Sequence, residues 1–135
     1  MVSSFFVYGT LKRGQYREQC WPVAPLSVLP AWTGGRLFSR VDYPAMTSGE
    51  DRVLGELWTF ADQHVAQVVA RLDQIEGTNQ PRQPDLYRRD VVCVFDLDDE
   101  PLGQAFAYRY ETKPEIDGFT RVVGISIEWP KPSTT

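Results

Sequence analysis

Short runs rich in β-branched and aromatic residues recur along the chain, punctuated by Gly, Pro and Asp. They fall at Ser4 to Tyr8, Gly35 to Arg40, Val53 to Phe60, Tyr87 to Asp96, Gln104 to Tyr110 and Val122 to Trp129, a pattern that predicts about six strands. Between the fourth and fifth runs lies Asp96-Leu97-Asp98-Asp99-Glu100-Pro101-Leu102-Gly103, whose turn chemistry predicts an antiparallel hairpin. One long segment, from about Asp62 to Glu76, reads as helix, with Asp62 as its N-cap and Gly77 as its stop. A shorter helical turn is expected over Gln15 to Trp21, ended by Pro22. So few helices cannot supply crossovers for parallel strands, and the sheet must bury its apolar face by curling or by taking the helix onto it. The expected fold class is α+β: a small, mostly antiparallel β-barrel of about six strands with one main helix and a short second helix.

The helix carries a carboxylate on its apolar side. On a wheel of about 100° per residue with Val65 at the origin, Val68 falls at about 300°, Val69 at about 40° and Leu72 at about 340°, an arc that faces the core. Glu76 falls at about 20°, in the middle of that arc. Desolvation disfavours the charged form of such a group, so its pKa should rise toward the range of a general acid or base near neutral pH. A helix that frays one residue early would instead release Glu76 to solvent. Against that stands the negative end of the helix dipole, which makes Glu a poor choice for a simple last-turn residue. His64, at about 260°, lies off the arc and is expected at the rim.

Composition narrows the chemistry. The chain has 135 residues, enough for one domain over 1–129 with a flexible tail at 130–135, and 42% of them are hydrophobic, which supports a packed core. With 14 Lys+Arg against 18 Asp+Glu, the surface lacks the basic excess that would attract nucleic acid or an anionic membrane. No apolar run approaches the roughly 18 residues that span a bilayer, and Phe5 to Tyr8 is too short for a signal-peptide core. Cys20 and Cys93 form no Cys-x-x-Cys motif, so a reducing cytoplasm is the expected location. A single His removes multi-histidine zinc sites and leaves any nucleophile-His dyad dependent on His64. Cys93, flanked by valines and Phe95, reads as a buried small hydrophobe, and Trp21, Trp32, Trp58 and Trp129 read as core. Arg88 and Arg89 alternate across a strand, so at most one can meet a substrate carboxylate, and an exposed charge is the expectation for either.

The stretch Tyr8-Gly9-Thr10-Leu11-Lys12-Arg13-Gly14 places a glycine directly after a strand, and such a turn can offer successive backbone N–H groups to an anion or oxyanion. It has neither the Gly-Lys-Ser/Thr ending of a nucleotide P-loop nor the three-glycine dinucleotide pattern.

Five motifs then stand in one order: Phe6-Val7-Tyr8-Gly9-Thr10-Leu11, Tyr43-Pro44-Ala45-Met46, Val53-Leu54-Gly55-Glu56-Leu57-Trp58, Leu72-Asp73-Gln74-Ile75-Glu76-Gly77 and Tyr87-Arg88-Arg89. Together, over about residues 4 to 110, they resemble the gamma-glutamylcyclotransferase-like family, also called AIG2-like. The resemblance implies a compact β-barrel with flanking helices and a cavity. It also implies that the turn of Tyr8, Gly9, Thr10 and Leu11 holds the substrate's gamma-glutamyl part, that Glu76 is the acid/base residue, and that Tyr87 closes the pocket or donates from its hydroxyl. The implied reaction needs no enzyme nucleophile, metal or cofactor. The alpha-amine of a small gamma-glutamyl amine, amino acid or peptide attacks its own gamma-carbonyl, giving 5-oxoproline and a free amine. Two other readings use the same cavity: a binding module without turnover, and hydrolytic removal of a gamma-glutamyl group. The stretch Thr78 to Asp85 and the region after Tyr110 add nothing to the resemblance, so the leaving group and the oligomeric state stay open.

Overall fold

The structure is a computed structural model, which describes residues 2–78, 86–110, 112–124 and 126–130. Seven strands are described: β1 (Ser4–Val7), β2 (Ser27–Ser39), β3 (Pro44–Thr59), β4 (Tyr87–Phe95), β5 (Pro101–Tyr110), β6 (Thr120–Arg121) and β7 (Ser126–Ile127). Five of them close on themselves in the order β2-β4-β5-β1-β3 and back to β2, while β6 and β7 pair along the rims of β2 and β3. Neighbours are antiparallel except for β1 with β5 and β3 with β7. Among the described residues the one α-helix, α1 (Val65–Glu76), packs on the outside of the barrel, and the short second helix is a single 3₁₀ turn, Glu18–Cys20.

Two apolar clusters hold this arrangement. One fills the barrel with Phe6, Tyr8, Leu37, Met46, Val53, Leu57, Val92 and the small Ala105 and Ala107. The other lies between the barrel wall and α1, where Val68 and Leu72 meet Phe5, Val7, Phe60 and Tyr108. Alternation along β1 sends Phe6 inward and Phe5 and Val7 toward the helix, so this strand is buried on both faces and reads as a continuous apolar run. The expected hairpin is present: β4 and β5 pair from Tyr87↔Tyr110 to Phe95↔Pro101, and Asp96 Oδ1 accepts the N–H groups of Asp98 and Glu100 at 2.9 and 3.0 Å in the turn.

Several local expectations change. The second and third strands are longer than the apolar pattern suggests, forming one hairpin from Ser27↔Thr59 to Ser39↔Pro44 whose register slips between Gly35 and Arg36. The expected run from Val122 to Trp129 contributes only the two-residue β7. Asp62 caps nothing with its side chain; it opens a 3₁₀ turn, Asp62–His64, ahead of α1. Cys93 is exposed, because the alternation that buries Val92 and Val94 turns it outward. Trp58 and Trp129 are core and Trp21 packs against it, but Trp32 lies outside, stacked on Phe95 with its Nε1–H on Asp99. Residues 131–135 of the expected tail, and residues 79–85 of the loop before β4, lie outside the described residues.

Candidate active site

A cavity of about 160 Å³ opens where β1 ends, between the C-terminal end of α1 and the first residues of β3 and β4. Tyr8, Gly9, Thr10, Leu11, Glu76 and Tyr87, the six residues singled out from the sequence, all line it.

The turn after β1 is built so that its carbonyls are used and its N–H groups are not. The Gly9 carbonyl accepts the Lys12 N–H at 3.1 Å and the Thr10 carbonyl accepts the Arg17 N–H at 3.0 Å. The Leu11 carbonyl accepts the indole N–H of Trp21 at 3.0 Å. Among the described residues, no acceptor meets the N–H groups of Gly9, Thr10 or Leu11. Gly9 is required by packing: a Cβ there would sit 2.7 Å from Pro44 Cγ and 2.9 Å from Cδ, closer than carbon atoms approach without displacement.

Glu76 is the last residue of α1, and the chain turns sharply after it. Gly77 takes a left-handed conformation with φ of 68°. Its N–H reaches the Gln74 carbonyl at 3.4 Å, and the Thr78 N–H reaches the Asp73 carbonyl at 2.8 Å, a Schellman closure. The Thr78 hydroxyl donates to the Tyr87 carbonyl at 2.6 Å, which ties the helix end to β4. Held in this way, Glu76 does not swing to bulk solvent. It is part-exposed only by area and lines the cavity. Burial pushes its pKa up to about 7, against a smaller downward pull from the Arg17 charge. No described residue donates a hydrogen bond to it.

The aromatic walls are pinned through their hydroxyls. Tyr8 donates to the Tyr108 carbonyl at 2.5 Å and Tyr87 to the Pro44 carbonyl at 2.6 Å. Burial raises both phenol pKa values, with a further push on Tyr8 from Glu76. Tyr87 thus forms part of the wall with its proton committed to backbone.

Three contributors escaped the sequence reading. Arg17 and Tyr108 line the cavity. Behind Tyr108, Asp73 accepts its hydroxyl at 2.6 Å and forms an ion pair with Arg89, so Arg89 is no free surface charge. Asp73 was detectable in principle: at about 80° on the helical wheel it borders the apolar arc. Arg88 is exposed and pairs with Asp90, and His64 is part-exposed and lines no part of the cavity. A second cavity of about 270 Å³ is lined by Lys12, Arg13, Glu56 and Glu128. There the Lys12 ammonium donates to the Trp129 carbonyl at 2.5 Å.

A small closed barrel whose cavity is lined by one desolvated carboxylate and by a turn with three N–H groups that meet no acceptor among the described residues offers a small-ligand site suited to acid/base work. The chain belongs to the family described as gamma-glutamyl cyclotransferase, AIG2-like, whose sequence model matches residues 5–124. It is similar in structure to an AIG2-like protein of Mus musculus, with a TM-score of 0.64 and 25% identity over 96% of this chain and 90% of that one. It also resembles YkqA of Bacillus subtilis, with a TM-score of 0.61 and 23% identity over 90% of this chain and 38% of that longer one. An uncharacterised protein of Pyrococcus horikoshii matches with a TM-score of 0.60 and 19% identity over 89% and 85% of the two chains. No curated protein matches at a significant level. Among the described residues, no helix is long and apolar enough to cross a membrane.

Proposed function

We propose that this protein is a gamma-glutamyl cyclotransferase: it closes the gamma-glutamyl part of a small amine, amino acid or peptide conjugate into 5-oxoproline and releases the free amine. The observation that carries this reading is the pairing, across one cavity, of Glu76 with the unpaired N–H groups of Gly9, Thr10 and Leu11.

Ionised Glu76 takes a proton from the substrate's alpha-ammonium, and the freed amine attacks the gamma-carbonyl carbon of the same molecule. Negative charge develops on the carbonyl oxygen, where the turn N–H groups stabilise it; one such donor is worth about 3 kcal/mol. The bond to the leaving nitrogen then breaks as Glu76 returns the proton to it. The attacking nitrogen begins with three protons and ends as a lactam with one. The leaving nitrogen gains those two and departs as an ammonium, so Glu76 finishes as it began. Because attack is intramolecular, the protein mainly holds the reactive conformer.

The environment of Glu76 suits this relay. The substrate's alpha-ammonium, beside its own carboxylate, titrates well above an ordinary carboxylate, and a base at about 7 narrows that gap by about 2.5 units. The narrower gap makes transfer in either direction accessible. Tyr8 and Tyr87 shape the walls, and a reducing cytoplasm suits the two unpaired thiols, Cys20 and Cys93.

The test is release of 5-oxoproline by the purified protein from a panel of gamma-glutamyl amines, amino acids and peptides, alongside Glu76→Gln. Turnover by the wild type and loss of at least two orders of magnitude in the variant is the expected result. Absence of product across the panel refutes the activity, and ligand-dependent thermal stabilisation that survives in the variant would then identify a binding module.

A further inference from the structure

The cavity has two charged lining residues among those described, Glu76 and Arg17. Arg17 follows the glycine turn and is tied to it, since its N–H donates to the Thr10 carbonyl and its own carbonyl accepts the Cys20 N–H at 2.9 Å. Its guanidinium lies 5.5 Å from the centre of the Tyr16 ring and, among the described residues, makes no hydrogen bond and no ion pair. An arginine fork with its donors unspent, at the wall of a small cavity, is a carboxylate receptor.

Which carboxylate follows from the substrate's connectivity. This step rests on the cyclotransferase reading. In a gamma-glutamyl compound the ammonium that Glu76 must deprotonate and the alpha-carboxylate share one carbon atom. A cation that faces Glu76 in the same cavity therefore faces that carboxylate too. We propose that Arg17 binds the alpha-carboxylate of the gamma-glutamyl unit, leaving the Gly9 to Leu11 N–H groups for the gamma-carbonyl oxygen. Arg17 is then a specificity residue: it selects an intact glutamyl head and leaves the leaving group free to vary. Its backbone tie to Thr10 puts the two anchor points on one segment, which limits how far apart the carboxylate and oxyanion sites can lie.

The probes are 5-oxoproline, whose only carboxylate derives from the alpha position, and its neutral counterpart 5-oxoprolinamide, with affinities measured by calorimetry or ligand-observed NMR. The wild type should prefer the acid by about tenfold or more, the range of a charge-assisted pair at a partly open site. Arg17→Gln should erase the preference while leaving the melting temperature close to wild type, and Arg17→Lys should retain part of it, a recovery that a purely structural role would not give. A wild type that binds acid and amide alike, or neither, or an Arg17→Gln variant that keeps the preference, overturns the assignment. These outcomes are independent of turnover. An acid preference that depends on Arg17 but comes without product formation removes only the proposed activity, whereas turnover without an acid preference removes only the role of Arg17.

Discussion

Replacing Glu76 by Gln removes a carboxylate whose ionised form the fold disfavours, so the change should abolish activity and raise stability together. The magnitude follows from linkage. The group's pKa is about 7 when folded and 4.5 in the ordinary case. Because the folded value is the higher one, the wild type is favoured below pH 4.5 and loses stability as pH rises through about 7. A gap of about 2.5 units corresponds to about 3 kcal/mol in full, of which roughly 2.5 kcal/mol is lost between about pH 5 and about pH 8. For a chain of this size that is a melting-temperature difference of about 8 °C. The assay is thermal unfolding of wild type and Glu76→Gln in matched buffers at the two pH values. The gain of the variant over the wild type should be larger at the higher pH, and all other titrating groups cancel in that comparison. A difference that does not change with pH would show that Glu76 is not desolvated, and the argument for its role as a base near neutral pH would fall with it.

Other consequences are as direct. With Glu76 required as a base in the free enzyme, kcat/KM should climb with unit slope on the acid side and level off above about pH 7; a plateau reached by about pH 5 would contradict this. Gly9→Ala places a methyl carbon 2.7 Å from Pro44 Cγ, so it should lower kcat/KM by about a hundredfold through displacement of the turn, for a stability loss of only about 1–3 kcal/mol seen in the melting curve. Asp73→Asn removes the charge that Arg89 pairs with and weakens the acceptor of the Tyr108 hydroxyl. A loss of about 2 kcal/mol by denaturant titration is expected, discounted for the partial exposure of Arg89.

The residues proposed to carry the chemistry were legible because each breaks a local rule. Glu76 stands in an apolar arc and at the wrong end of the helix dipole, and a wheel reveals both. The glycine turn interrupts an apolar strand at its end. Local patterns hid the rest. The expected second strand opens only at Gly35, yet β2 begins at Ser27 and carries Pro30 and Gly34 inside it. Pro30 is tolerated because β2 meets β4 only at Trp32↔Phe95, so the strand has one unpaired edge at the proline. The expected third strand opens only at Val53, because the polar run from Thr47 to Arg52 breaks the apolar pattern; the register slip between Gly35 and Arg36 absorbs that run within the hairpin. Asp73 and Arg17 are polar residues on segments where polar residues are ordinary. Their partners, Tyr108 and Arg89 for the first and the cavity for the second, come from strands and turns distant in sequence, which only the closed barrel brings together.

The central claim is that the substrate's own amine is the nucleophile and Glu76 its proton relay. It is tested most directly by running the reaction of a gamma-glutamyl amino acid in oxygen-labelled water and weighing the glutamyl product. Ring closure predicts 5-oxoproline with no solvent oxygen, formed in equal amount with the free amino acid and lost in Glu76→Gln. Glutamate carrying the label would contradict the account, because it would show that water, and not the alpha-amine, attacks in this cavity.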